Sequence, residues 1–154
     1  MGLDHGLIMK NNAIQEDLFV WRKENHIHKW FVTNCQEGID DCGEYVIPFS
    51  KIEELYNTAE MILQELKKEK LISKEVYNGE TYIEKEWKVL LRSEQLPENV
   101  SAAINLMPTQ SGFFFGSTDY DSYYISSLVE IVKILKPYLD KKDENIEFLY
   151  WSSW

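Results

Sequence analysis

Cysteine is scarce in this chain, and the two that occur, Cys35 and Cys42, are not spaced for chemistry. Their separation matches no zinc pattern, and the nearby His28 does not complete one. Unremarkable thiols in a reducing compartment are the expectation, and no metal or cofactor is called for. Apolar runs are short as well. None approaches the ~20 residues a membrane-spanning helix needs, and Met1 to Asn12 lacks the apolar core and cleavage site of a secretion signal. These features point to the cytoplasm, with no membrane partner. Positive charge is also in short supply: 16 Lys and Arg stand against 26 Asp and Glu, a net −10. A nucleic-acid binder neutralises phosphates with a basic face, so direct nucleic-acid binding is disfavoured. An acidic surface suits solubility, or a basic surface on another protein.

The recognisable catalytic patterns are missing too. There is no Gly-x-Ser-x-Gly elbow, no His-Glu-x-x-His, no calcium loop, no Walker A loop and no dinucleotide fingerprint. This removes the easily read enzymes and leaves others open. No internal repeat or low-complexity stretch is present.

What remains is enough for one domain over residues 1–154. A chain of this length buries roughly 70% of its unfolded surface, and 44% of its residues are hydrophobic and 14% aromatic. Residues 1–14 are expected to form a loosely held N-terminus. Over 15–34 the recurrence of Trp21, Asn25, His28, Phe31 or Val32, and Cys35 fits a helix. Turn-rich 38–43 leads to a strand at 44–49, ended by Pro48. Ser50 and Glu53 form a capping-box signature for a helix whose apolar face is Ile52, Leu55, Ala59, Ile62 and Leu66. Asn78-Gly79 suits the tight turn of a hairpin at 76–83, within a hairpin insertion over 71–95. Ser111 to Thr118 reads as a short buried strand bracketed by glycines. A second helix follows, capped by Asp119 or Asp121, with Tyr124, Leu128, Ile131 or Val132, Leu135 and Leu139 on its core face and Pro137 shortening its last turn. Ile146 to Tyr150 is a last strand, and the tryptophan that ends the chain is expected to be packed. The fold class is α+β, a small mixed or antiparallel sheet of about four strands with two or three packed helices, plus the hairpin insertion.

Three clusters could carry chemistry. Trp21 to Phe31 holds Arg22, Lys23 and Lys29 against Glu24, a local +2, so the rest of the chain sums to −12. Interleaved cations and rings can hold a phosphate and stack a planar group, although a helix with solvated cations and core tryptophans would read the same. His28 is a weak candidate for acid–base catalysis, because no carboxylate at a recognisable spacing orients it. In the glycine-bracketed segment, Gly112 and Gly116 would let the backbone approach a ligand, with Ser111, Ser117 and Thr118 adding hydroxyls. Buried corners of a strand are the plainer explanation. Tyr120, Asp121, Tyr123, Tyr124 and the terminal YWSSW offer apolar bodies with polar tips.

The segments WRKENHIHKWFV (21–32), CGEY (42–45), PTQSGFFFGSTDYDSYY (108–124) and YWSSW (150–154) resemble a family of small, largely uncharacterised bacteriophage and prophage proteins. The resemblance implies a protein acting on a host process in the bacterial cytoplasm, by binding rather than by catalysis. The first expectation is therefore sequestration of a small anionic, nucleotide-like molecule such as a host defence signal. Arg22, Lys23, His28 and Lys29 would hold phosphate, with Asn25 on the same stripe. Trp30, Phe114, Tyr120 or Tyr124 would stack, and Ser111, Gly112 and Ser117 would supply backbone or hydroxyl contacts. A homodimer could build this site between subunits. The alternative is inhibition of a host protein through an acidic face with Glu53, Glu54, Glu60 and residues 140–147. A phosphodiesterase-like enzyme using His28 comes third. The first expectation requires the basic island to fold against the glycine-flanked phenylalanines.

Overall fold

The computed structural model describes residues 3–12, 14–68, 102–109, 122–143 and 145–154. The elements run β1 (Asp4–Asn11), β2 (Ile14–Arg22), α1 (Asn25–Cys35), β3 (Glu44–Ile47), α2 (Phe49–Lys68), α3 (Ala102–Leu106), α4 (Ser122–Lys141) and β4 (Ile146–Ser153). Among the described residues, four antiparallel strands form one sheet in the order β2-β1-β4-β3. The class is α+β, as the sequence indicates. β1 and β2 are not among the expected strands, and the expected hairpin at 76–83 and strand at 111–118 lie outside the described residues.

The N-terminal third corrects the sequence reading most. Residues 4–11, expected to be loosely held, form an inner strand paired with β4 from Asp4↔Ser153 to Asn11↔Ile146. The helix expected over 15–34 begins only at Asn25, because the residues before it belong to β2. Phe19 and Trp21 alternate inward at the period of a strand. The break between the two elements comes at Lys23, whose φ of 65° is unusual for a residue with a side chain.

One face of the sheet presents His5, Leu7 and Met9 of β1, Phe19 and Trp21 of β2, and Phe148 and Tyr150 of β4. Apart from His5, these join one core cluster with the helices. The core face of α2 is as expected: Ile52, Leu55, Ala59 and Ile62 are fully buried and Leu66 nearly so. Ser50 does not cap this helix. It lies inside the first turn, and the amide of Ile52 donates to Pro48 O at 3.2 Å. Pro137 does not end α4, which runs on to Lys141. Pro137 faces solvent, where water can satisfy the carbonyl that its missing N–H leaves unpaired.

Among the described residues, the sheet's outer strands are guarded. Leu7 pairs with Phe19 but Ile8 with Asp17, so Leu18 is an extra residue that bulges the outer strand beside Glu16 and Asp17. A bulge and charges oppose pairing with another chain. The other edge, β3, has only four residues. On the sheet's second face the Trp151 indole lies across Gly6. A Cβ there would stand 2.6 Å from Phe19 O and 2.7 Å from the Trp151 ring nitrogen. Gly6→Ala should therefore cost about 1–3 kcal/mol, measured as a fall in the urea midpoint. An unchanged midpoint would show that both the β2 backbone at Phe19 and the Trp151 ring yield freely.

Candidate functional site

The basic island is split between the end of β2, the break at Lys23 and the start of α1. Arg22, Lys23 and Lys29 are exposed and Asn25 is half-buried, whereas His26, His28 and Trp30 are buried. Arg22 lies 3.6 Å from Asp4 with both side chains largely in solvent, a pairing that contributes little. The rings expected to stack on a ligand serve the core. Trp30 is 4% exposed and packs edge-on to Phe31, while Tyr124 is 2% exposed and donates its hydroxyl to Met107 O at 2.8 Å. Ser111, Gly112, Phe114, Ser117 and Tyr120 lie outside the described residues, as does the requirement that this segment meet the basic island.

His28 does have a carboxylate, which sequence spacing did not reveal. After α1 the chain turns back through Glu37 (φ 54°) and Gly38 (φ 80°), and the Gly38 amide donates to Val32 O at 2.8 Å. This return carries Asp40 to the His28 ring, with its Oδ1 2.8 Å from Nε2. The Trp154 indole N–H donates to the same oxygen at 3.2 Å. Trp154 is thus tethered by its polar edge yet 51% exposed, not packed as its terminal position suggested. The returning segment is further held by Ser152, whose hydroxyl donates to Asp41 O, and by Tyr45, whose hydroxyl donates to the Asp41 carboxylate.

Inward of His28 the contacts continue. Its Nδ1 is 2.6 Å from the Tyr150 hydroxyl, which is 2.9 Å from His5 Nδ1. His5 and Tyr150 are fully buried. Burial, and then the neighbouring His28 and His26, hold His5 well below the usual imidazole pKa. Burial raises the Tyr150 pKa, and the Asp40 charge adds to it. His26 stands apart, at the start of α1. Its Nε2 is 2.8 Å from Ser127 Oγ, and that hydroxyl donates to Tyr124 O, so the histidine is the donor in their bond. Burial lowers the His26 pKa to about 3.

This arrangement is ill suited to catalysis by His28, because Asp40 and Tyr150 occupy both ring nitrogens and leave none for a substrate. Cys35 is no better placed, since burial lifts its thiol to about 11 and keeps it protonated. Among the described residues, no group of three or more His, Cys, Asp or Glu is arranged to hold a metal ion. Among those residues, too, no helix is long and apolar enough to cross a membrane.

A second feature lies between α2 and α3. The Glu65 carboxylate accepts the Ala102 amide at 3.1 Å, which docks the start of α3 on α2. Further along, Glu53, Glu54, Asn57, Thr58, Met61 and Leu106 border an open groove of about 470 Å³. Met61 is 52% and Leu106 43% exposed, so the groove pairs an apolar surface with two carboxylates. Lys51 reaches Glu54 at 3.0 Å but does not line the groove. The amphipathic pattern of α2 located Glu53 and Glu54. Nothing in it indicated that Leu106 would be brought alongside. No family model matches the chain, and searches of curated proteins and of solved structures likewise found no match.

Proposed function

We propose that this chain is a binding protein that engages a protein partner through the α2–α3 groove. The observation that carries the reading is the juxtaposition of Glu53 and Glu54 with exposed Met61 and Leu106. Apolar side chains in a shallow groove supply contact area, and carboxylates around them select a basic, amphipathic segment. The net charge of −10 favours approach of such a partner. The phage resemblance supports a host protein as that partner, which makes the chain an inhibitor or modifier of a host process.

The second reading, sequestration of an anionic nucleotide-like molecule, is supported by the exposure of Arg22, Lys23 and Lys29. It is weakened by the burial of Trp30 and Tyr124, two of the rings it needs.

One comparison separates the readings. Fluorescently labelled Lys/Leu amphipathic helical peptides and a panel of nucleotides and cyclic nucleotides are tested against the wild-type chain and the double variant Glu53→Lys, Glu54→Lys. Peptide binding should weaken about tenfold in the variant, and it should weaken with salt, since rim charges act mainly through screened electrostatics. Equal binding of a peptide in which acidic residues replace the lysines would end the groove proposal. A nucleotide that raises the melting temperature, with the rise lost in Arg22→Ala, Lys23→Ala, would transfer the function to the second reading.

A further inference from the structure

The wall that α2 gives to the groove changes character along its length. Glu53 and Glu54 come first, Asn57 and Thr58 follow a turn later, and Met61 a turn after that, at the intervals of one helical face. With a rise of 1.5 Å per residue, Met61 stands roughly 12 Å along the axis from Glu53. Met61 and Leu106 make the exposed apolar part of the groove. The two carboxylates also differ. Lys51 holds Glu54 at 3.0 Å, whereas no described residue forms an ion pair with Glu53. Glu53 is therefore the carboxylate left for a cation from outside.

We propose, resting on the groove as a protein-binding surface, that its occupant is a helix running antiparallel to α2. An apolar side chain of that helix lies against Met61 and Leu106, and a Lys or Arg two turns further on meets Glu53. The spacing follows from the axial distance between the two ends of the groove. The helical form follows from its walls. The elements that border it, α2 and α3, are both helices. Side chains there offer an extended segment no ladder for its N–H and C=O groups, while a helix pairs these groups internally. The direction follows from the occupant's own dipole. A cation is favoured in the last turn of a helix and opposed in the first, so the end that reaches Glu53 is the C-terminal one.

Three labelled helical peptides of identical composition test this. Each carries leucines on one face, with the lysines two turns after them, one turn after them, or two turns before them. Their anisotropy is titrated with the wild-type chain, Glu53→Gln and Glu54→Gln at low salt. The first peptide should bind tightest, and Glu53→Gln should weaken it about fivefold while changing the other two less than about twofold. Glu54→Gln, whose carboxylate already has Lys51, should change all three less than about twofold. A proline in the middle of the first peptide should abolish its binding.

Equal affinity for the three peptides, or an equal loss for all of them in Glu53→Gln, would overturn the proposed register and leave a groove that attracts cations without reading their position. Tightest binding of the third peptide would overturn the direction, and undiminished binding of the proline peptide would overturn the helical form. If none of the three bound the wild-type chain, the groove would fail as a protein-binding surface and this proposal with it. Glu53 and Glu54 are exposed, so both variants should keep the wild-type melting temperature.

Discussion

Between pH 7 and pH 5 the protein should lose at least about 2 kcal/mol of stability, well before most carboxylates protonate. The cause is the burial of neutral histidines. His26 has a folded-state pKa of about 3, against 6.5 for an accessible imidazole. In the window between those values the unfolded chain binds a proton that the folded chain refuses, so stability is full above pH 6.5 and declines as the pH falls toward 3. The slope approaches 1.4 kcal/mol per pH unit, and His26 alone accounts for about 2 kcal/mol at pH 5. His5 is shifted in the same direction by its burial and adds to the decline. Urea unfolding at pH 7.5, 6.5, 5.5 and 5 measures this directly. His26→Gln should flatten the slope by about one proton's worth. A free energy that is level from pH 7 to 5 would mean these rings are hydrated in solution.

Phe31→Ala should remove about 3–5 kcal/mol, a large part of the 5–15 kcal/mol typical of a domain. Phe31 is fully buried and stacks on Tyr150 with centroids 3.9 Å apart, and Trp30 and Trp21 lie against it at 5.2 and 6.1 Å. Removing the ring separates α1 from the sheet at the point where His28 meets Tyr150. The urea midpoint should collapse. Met61→Ala, on the exposed groove, should change stability by less than about 0.5 kcal/mol. If Met61→Ala proved as costly as Phe31→Ala, the groove would be part of the folding core and not a surface kept for a partner.

The parts of the fold that could be read from the sequence are those whose side chains repeat with a regular period. In α2, Ile52, Leu55, Ala59, Ile62 and Leu66 keep helical spacing over four turns, and all are buried. β1 escaped notice because Gly6 interrupts DHGLIMKN where Trp151 crosses, and because His5, though fully buried, is a polar residue type. The window that made Trp21 through Phe31 appear to be one basic site counted charges without knowing their facing. Trp21 and Arg22 end a strand, whereas Asn25 to Phe31 belong to a helix that turns its imidazoles inward. The polar chain was out of reach for a different reason. His5 and Tyr150 are 145 positions apart, and Asp40 returns to His28 through a turn, so no local interval betrays their meeting.

The pairing of β1 with β4 also sets a timetable. β1 has to wait for β4 to be made before the middle of the sheet can close. Until then the β1–β2 hairpin would display Leu7, Met9, Phe19 and Trp21 to its surroundings. Contacts between residues so far apart in sequence form slowly, so closure of the sheet's centre should be a late step in folding.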